Sequence, residues 1–322
     1  MTPFRPLFRN PHAQTIAAHF WRRPGIERPS VRRMIVTEPR IQVLVESARP
    51  EGEAVGEIVM VHGLEGSGAA GYIQSLAAAG LDAGYAVHRF HMRTCGGTEQ
   101  WADTLYHAGL TSDLAAVLRL MREEGRAPAC LVGFSLGGNV VLKLAGELGD
   151  VGPGLVRTVC AVSTPLDLGA SARKIGALRN RVYELRFVRR MKARLAATGR
   201  YSPEELADLD TLLELDNRIT APAFGFGDAA NYYRTQSSLR YLSAIRVPVL
   251  LIQSRDDTFI PFEVFESSAV RDNPNIRLLA TDHGGHLGFL ARGPQRFWLD
   301  HTILEWLAGA GRDALTDAQR VR

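Results

Sequence analysis

Five residues, Gly133-Phe134-Ser135-Leu136-Gly137, carry the first chemical signal in this chain. A serine hydroxyl is a weak nucleophile unless a base takes its proton. The Gly-x-Ser-x-Gly spacing suits a tight strand-to-helix turn. Small residues two before and two after the serine let the backbones pass closely, and Oγ is left exposed at a helix N-terminus. In a glycine-rich chain that spacing recurs by chance, so its context decides. An apolar run, Ala129 to Val132, precedes it, and a helical pattern, Asn139 to Leu148, follows. The plainer alternative is a glycine-rich turn without chemistry.

A nucleophilic serine needs a base, and the base needs an acid to orient it. Downstream, the buried strand pattern Val247 to Gln253 runs into Asp256-Asp257. An acid just past such a strand sits at the sheet edge where open α/β sheets bind ligands. Asp257, four residues before Pro261, is the expected orienting acid and Asp256 the alternative; both could instead cap the turn. Then comes Asp282-His283-Gly284-Gly285-His286-Leu287-Gly288-Phe289. Its glycines predict a mobile loop that brings an imidazole over the serine. His286 is the expected base and His283 the alternative. A loop histidine alone is more often structural, and the order Ser135, Asp257, His286 is what lifts this one.

The negative oxygen of an acyl-transfer intermediate must be held by backbone N–H groups. One should belong to Leu136. The other should come from the loop His62-Gly63-Leu64-Glu65-Gly66, with Leu64 as donor and His62 as a brace. Cys95, in Arg93-Thr94-Cys95-Gly96-Gly97, has no recognisable acid or base partner and reads as part of a glycine-rich loop near the site mouth. That loop lacks the Gly-Lys-Ser/Thr ending of a phosphate loop. Residues 171–200 hold ten Arg and Lys against one acid, Glu184. One reading is a surface for anionic lipid or acidic substrates; the blander one is a solvated helix face. Phe224-Gly225-Phe226 and Tyr232-Tyr233 fit an acyl pocket or a local core equally.

These residues need elements to position them. Residues 1–30 read as an irregular arm rich in Arg, Pro and aromatics. Two apolar runs over 34–47, broken at Pro39, suggest a hairpin. Strands and helices then alternate: Glu57 to Val61, Tyr72 to Ala83, Tyr85 to Phe90, Leu110 to Glu123 with Thr111 or Ser112 as cap, Ala129 to Gly133, Leu136 to Leu148, and Val156 to Val162. After an interruption follow Val247 to Gln253, a helical Phe262 to Val270, Ile276 to Leu279, and a helix over Pro294 to Leu307 with the proline near its start. This rhythm predicts an α/β fold, a mostly parallel sheet covered on both faces. The core should comprise 31–164 and 241–310. Residues 165–240, too long for a connection, predict a helical cap insertion, and 311–322 a polar tail.

Composition bounds the rest. The chain has 322 residues, 46% of them hydrophobic, enough for one large core. A formal charge of +4 is mild for this length, and no nucleic-acid signature accompanies it. Three cysteines, Cys95, Cys130 and Cys160, make neither a disulfide framework nor a zinc site. No signal-peptide run or spanning segment is visible, so a cytoplasmic protein is expected, with peripheral membrane contact through the basic cap left open. No metal or organic cofactor is required. Oligomeric state is not legible.

Several segments together resemble one family, the YheT-like and ABHD-like branch of the α/β hydrolases. They are Asn10-Pro11-His12-Ala13-Gln14-Thr15, His62-Gly63-Leu64-Glu65-Gly66, Arg93-Thr94-Cys95-Gly96-Gly97, Gly133 through Asn139, Thr220-Ala221-Pro222 through Tyr232-Tyr233, and His283-Gly284-Gly285-His286. The resemblance spans about residues 8–290. Thr94 departs from it, standing where the family loop commonly has glycine. The resemblance implies an α/β-hydrolase fold and hydrolysis of carboxylic esters of short or medium acyl chains, with lipid esters among the substrates of some relatives. By position it carries the triad onto Ser135, Asp257 and His286. The competing expectations are a thioesterase, acyltransferase or amidase on the same residues, or a non-catalytic binding domain.

Overall fold

The computed structural model describes residues 2–320, with side chains described for residues 2–309. Its strands are β1 (Val31–Glu38), β2 (Ile41–Ala48), β3 (Glu57–Val61), β4 (Ala86–Phe90), β5 (Ala129–Phe134), β6 (Val156–Val162), β7 (Val249–Ser254) and β8 (Ile276–Thr281). They form one sheet in the order β1-β2-β4-β3-β5-β6-β7-β8. The hairpin β1–β2 and the β2–β4 pair are antiparallel. Every pair from β4 through β3 to β8 is parallel. Central strands of a covered parallel sheet must be apolar on both sides. β5 meets this with Cys130, Val132 and Phe134 on one face and Ala129 and Leu131 on the other. On the first face pack α2 (Gly71–Asp82) and the C-terminal helix Trp298–Arg320; on the second pack α3 (Ser112–Glu123) and α4 (Leu136–Leu148). The expected α/β-hydrolase fold is the one found.

Some local expectations need correction. The arm at 1–30 is not wholly irregular, because Pro11–Phe20 form a helix, α1. Asn10 caps it by accepting from the Ala13 N–H, and Pro11 occupies the first turn, where its missing donor costs nothing. At α3 Thr111 is the cap residue but its hydroxyl makes no cap bond; it donates instead to Glu147 at 2.5 Å. The stretch 262–270 is two short turns, Phe262–Glu266 and Ser268–Arg271, rather than one helix. Pro294 lies outside the last helix, which starts at Trp298. The polar tail expected over 311–322 lies outside the described side chains.

Between β6 and β7 come α5 (Leu168–Ile175), α6 (Arg181–Ala197) and further short helices including Ala229–Gln236. They carry their own apolar cluster, in which Val188, Met191 and Leu195 of α6 meet Leu206, Leu212, Leu215 and Ile219. Among the described residues no helix is long and apolar enough to cross a membrane.

Candidate active site

β5 ends at Phe134 and α4 begins at Leu136, so Ser135 alone makes the turn. Its φ of 52° and ψ of −121° fall where residues with a Cβ are rarely found. The surroundings impose that conformation. A Cβ on Gly133 would strike the backbone of Gly137 and Gly138, one on Gly137 the carbonyls of Val61 and His62, and one on Gly138 the side chain of Thr164. The Ser135 N–H also donates to the Val162 carbonyl at 2.8 Å.

His286 Nε2 lies 2.9 Å from Ser135 Oγ, and its Nδ1 lies 3.1 Å from both carboxylate oxygens of Asp257. A carboxylate only accepts, so Nδ1 carries the proton and Nε2 turns its lone pair to the hydroxyl. Asp257 is 2% exposed. Its Oδ1 accepts the N–H groups of Phe259 (2.8 Å) and Ile260 (3.0 Å), and its Oδ2 the Gln253 side-chain amide (3.0 Å). These donors leave it one orientation.

The alternatives form a second pair. Asp256 Oδ2 lies 3.2 Å from His283 Nδ1, and its Oδ1 accepts the Gly285 N–H at 2.9 Å. The loop expected to be mobile is therefore tied down. Ser254 Oγ donates to the Gly285 carbonyl, the His286 N–H to Thr15 Oγ1, and the Leu287 N–H to Ser163 Oγ. Buried Gln14 bonds both the N–H and the carbonyl of Leu290. The loop's glycines serve close approach: a Cβ on Gly285 would strike Pro11 and Thr15, and one on Gly288 would strike Gln14. Sequence reasoning assigned no role to Gln14 or Thr15. The one available signal was a polar pair inside a segment singled out for its resemblance.

The second N–H source is as closely held. The Gly63 carbonyl accepts from the Gly66 N–H (3.0 Å) and from His62 Nδ1 (2.8 Å). His62 Nε2 accepts the Met92 N–H at 3.2 Å, which puts the imidazole proton on Nδ1. Burial drives His62 down to about 3, so it stays a neutral brace. Pinning that carbonyl turns the Leu64 N–H of the same peptide the other way. Neither Leu64 nor Leu136 gives its N–H to a protein acceptor among the described residues. Glu65, at φ 53°, anchors the loop. Its carboxylate takes Arg194 Nε (2.9 and 3.0 Å) and the Tyr106 hydroxyl (3.0 Å), and its carbonyl takes Arg190 at 2.5 Å. Thr94 also sits at positive φ, 58°, and its hydroxyl accepts from Arg194 at 3.0 Å. Burial pushes the Cys95 thiol up, away from nucleophilic use.

Ser135, His286, Leu64 and Leu136 face a cavity of about 930 Å³, its open mouth included. Its other wall is mostly apolar, with Leu168, Ile175, Phe187, Met191, Ile219 and Tyr232. One acid, Asp216, lines it. Burial pushes that carboxyl up to about 6, and the Tyr233 hydroxyl donates to it at 2.5 Å. Phe224 and Phe226 instead pack edge-on around His107. No cluster of three or more His, Cys, Asp or Glu that could hold a metal occurs among the described residues.

Comparison with known proteins follows this geometry. The profile of a family described as "alpha/beta hydrolase fold" matches residues 57–292. The Escherichia coli protein YheT, named provisionally as an esterase, is 33% identical over 312 residues, 93% of this chain and 91% of its own. A Saccharomyces cerevisiae medium-chain fatty acid ethyl ester synthase/esterase is 29% identical, covering 84% of this chain and 66% of its own. Mouse phospholipase ABHD3 is 27% identical over 72% of this chain, which spans 58% of it. Among solved structures, a Pyrococcus furiosus esterase superposes with a TM-score of 0.61 at 18% identity, covering 88% of this chain and 91% of its own.

Proposed function

The chain belongs to the α/β-hydrolase family, on the branch that holds YheT, and from that premise we propose that it is a serine esterase working through an acyl-enzyme. Ser135 Oγ attacks the ester carbonyl carbon while His286 Nε2 takes its proton. The carbonyl oxygen becomes an oxyanion, met by the N–H groups of Leu136 and Leu64, each worth roughly 10²–10³ in rate. The imidazolium, steadied by Asp257, gives its proton to the leaving alkoxide. Water then repeats the sequence and frees the acid. Residues 165–240 act as a cap whose apolar wall takes a short or medium acyl chain, of a simple or a lipid ester. The activities for which the relatives are named, esterase, ethyl ester synthase and phospholipase, support this class.

The observation that carries the reading is the single line of contacts from Asp257 through His286 to Ser135. A fluorophosphonate probe tests it. Labelling of the native protein that vanishes in Ser135→Ala supports the enzyme; a folded protein that never labels refutes it. A panel of p-nitrophenyl esters of rising chain length, beside acyl-CoA and amide substrates, then separates esterase from thioesterase and amidase.

A further inference from the structure

Two helices outside the reacting residues share an exposed face. α1 and α6 are joined by His12 Nδ1 to the Tyr183 hydroxyl (3.0 Å) and by Arg186 to His19 Nε2 (2.7 Å). Helical spacing sets Ile16 and Phe20 on the stripe of α1 that holds His12 and His19. On the facing helix Val182 and Leu185 flank Tyr183 and Arg186, and Leu178 precedes them. These side chains stand in solvent: Leu178 is 90% exposed, Val182 80% and Phe20 74%. Single exposed apolar residues are ordinary, whereas a contiguous group of large ones marks a contact surface.

The charges around the group say what it contacts. Arg22, Arg179 and Arg189 are exposed, and none meets a carboxylate among the described residues. The one acid in 171–200, Glu184, is buried and engaged with Arg181 and the Leu212 N–H. A second copy docked through the same face would set these guanidinium groups against their own kind. A surface of lipid phosphates and acyl chains answers both halves of the pattern. The inner sides of α5 and α6, with Ala172, Ile175, Phe187 and Met191, line the cavity.

We propose that the face formed by α1, Leu178 and α6 docks on an anionic lipid bilayer, its apolar side chains in the interface and its arginines on lipid phosphates. This goes beyond the esterase reading and does not depend on it. The test is co-sedimentation with vesicles of phosphatidylcholine carrying about one-third phosphatidylserine, beside pure phosphatidylcholine. The native protein is expected to bind the anionic vesicles more tightly, and less so as salt rises. Leu178→Glu with Val182→Glu should weaken binding about tenfold or more. Arg179→Glu with Arg189→Glu should do the same at low salt. An unchanged unfolding midpoint confirms that both variants fold, and vesicle binding can be read whether or not the protein hydrolyses esters. No binding of the native protein to anionic vesicles overturns the proposal. So does undiminished binding of the Leu178/Val182 variant, or a native dimer in light scattering that the variant splits without any vesicle binding.

Discussion

Asp257 with His286 and Asp256 with His283 are two pairs of the same chemistry on the same two loops, at 3.1 and 3.2 Å. In the first pair the side chains are 7% exposed for His286 and 0% for Asp257; in the second they are 36% for His283 and 19% for Asp256. The adjacent aspartates take different partners. Asp257 is held by two backbone N–H groups and an amide, and it grips a ring whose far nitrogen meets Ser135. Asp256 grips a half-open ring and the Gly285 N–H, and so holds the loop that carries His286. One pair sets the ring that faces Ser135, and the other positions the backbone beneath it.

Substitutions at the site can break that contrast. Ser135→Ala should cost the most, about 10⁶ in kcat, measured on a p-nitrophenyl ester with the protein still folded. Asp257→Asn should follow at about 10³–10⁴, because an amide can favour the wrong imidazole tautomer. Asp256→Asn should cost kcat no more than about tenfold while lowering Tm by several degrees, since it loosens a loop without touching the ring that faces Ser135. Equal losses in the two asparagine variants would abolish the distinction.

Smaller effects sharpen it. Gln14→Leu leaves the Leu290 N–H without an acceptor and its carbonyl with the Leu7 N–H alone, so it should destabilise by about 1–3 kcal/mol in denaturant unfolding. Asp216 extends the comparison to a cavity carboxyl whose named hydrogen-bond donor is a hydroxyl, pushed from 3.8 up to about 6 by burial. A raised carboxyl favours the folded state below its unfolded value and loses that contribution as pH climbs through the folded one. The Tm of Asp216→Asn relative to the native protein should therefore rise between about pH 4 and about pH 7. A flat difference would mean that the carboxyl is hydrated in the cavity.

Much of the scaffold was legible because its rules are local. The expected spans Glu57 to Val61, Leu136 to Leu148 and Val156 to Val162 coincide with observed elements, each a continuous apolar or amphipathic run with glycine or polar residues at or near its ends. α1 was not legible, since its ten residues hide only Gln14 and Ala18 and show little periodicity. Gln14 gains its role only against Leu290, 276 residues away. Thr111 holds the cap position of α3, one of the two expected, but its hydroxyl serves a tertiary partner, Glu147, instead of a local N–H.

By itself the amino-acid order determined that a serine would be forced into a strained turn between strand and helix, because steric exclusion around Gly133, Gly137 and Gly138 acts over a few residues. It also set the succession of acid and imidazole behind later strands. Only the tertiary structure decided which aspartate faces which histidine and which imidazole comes within 2.9 Å of a hydroxyl 151 residues away. It likewise decided which way the Leu64 N–H turns. Those outcomes depend on directions and distances between segments that meet only when the sheet assembles and its loops are tied together.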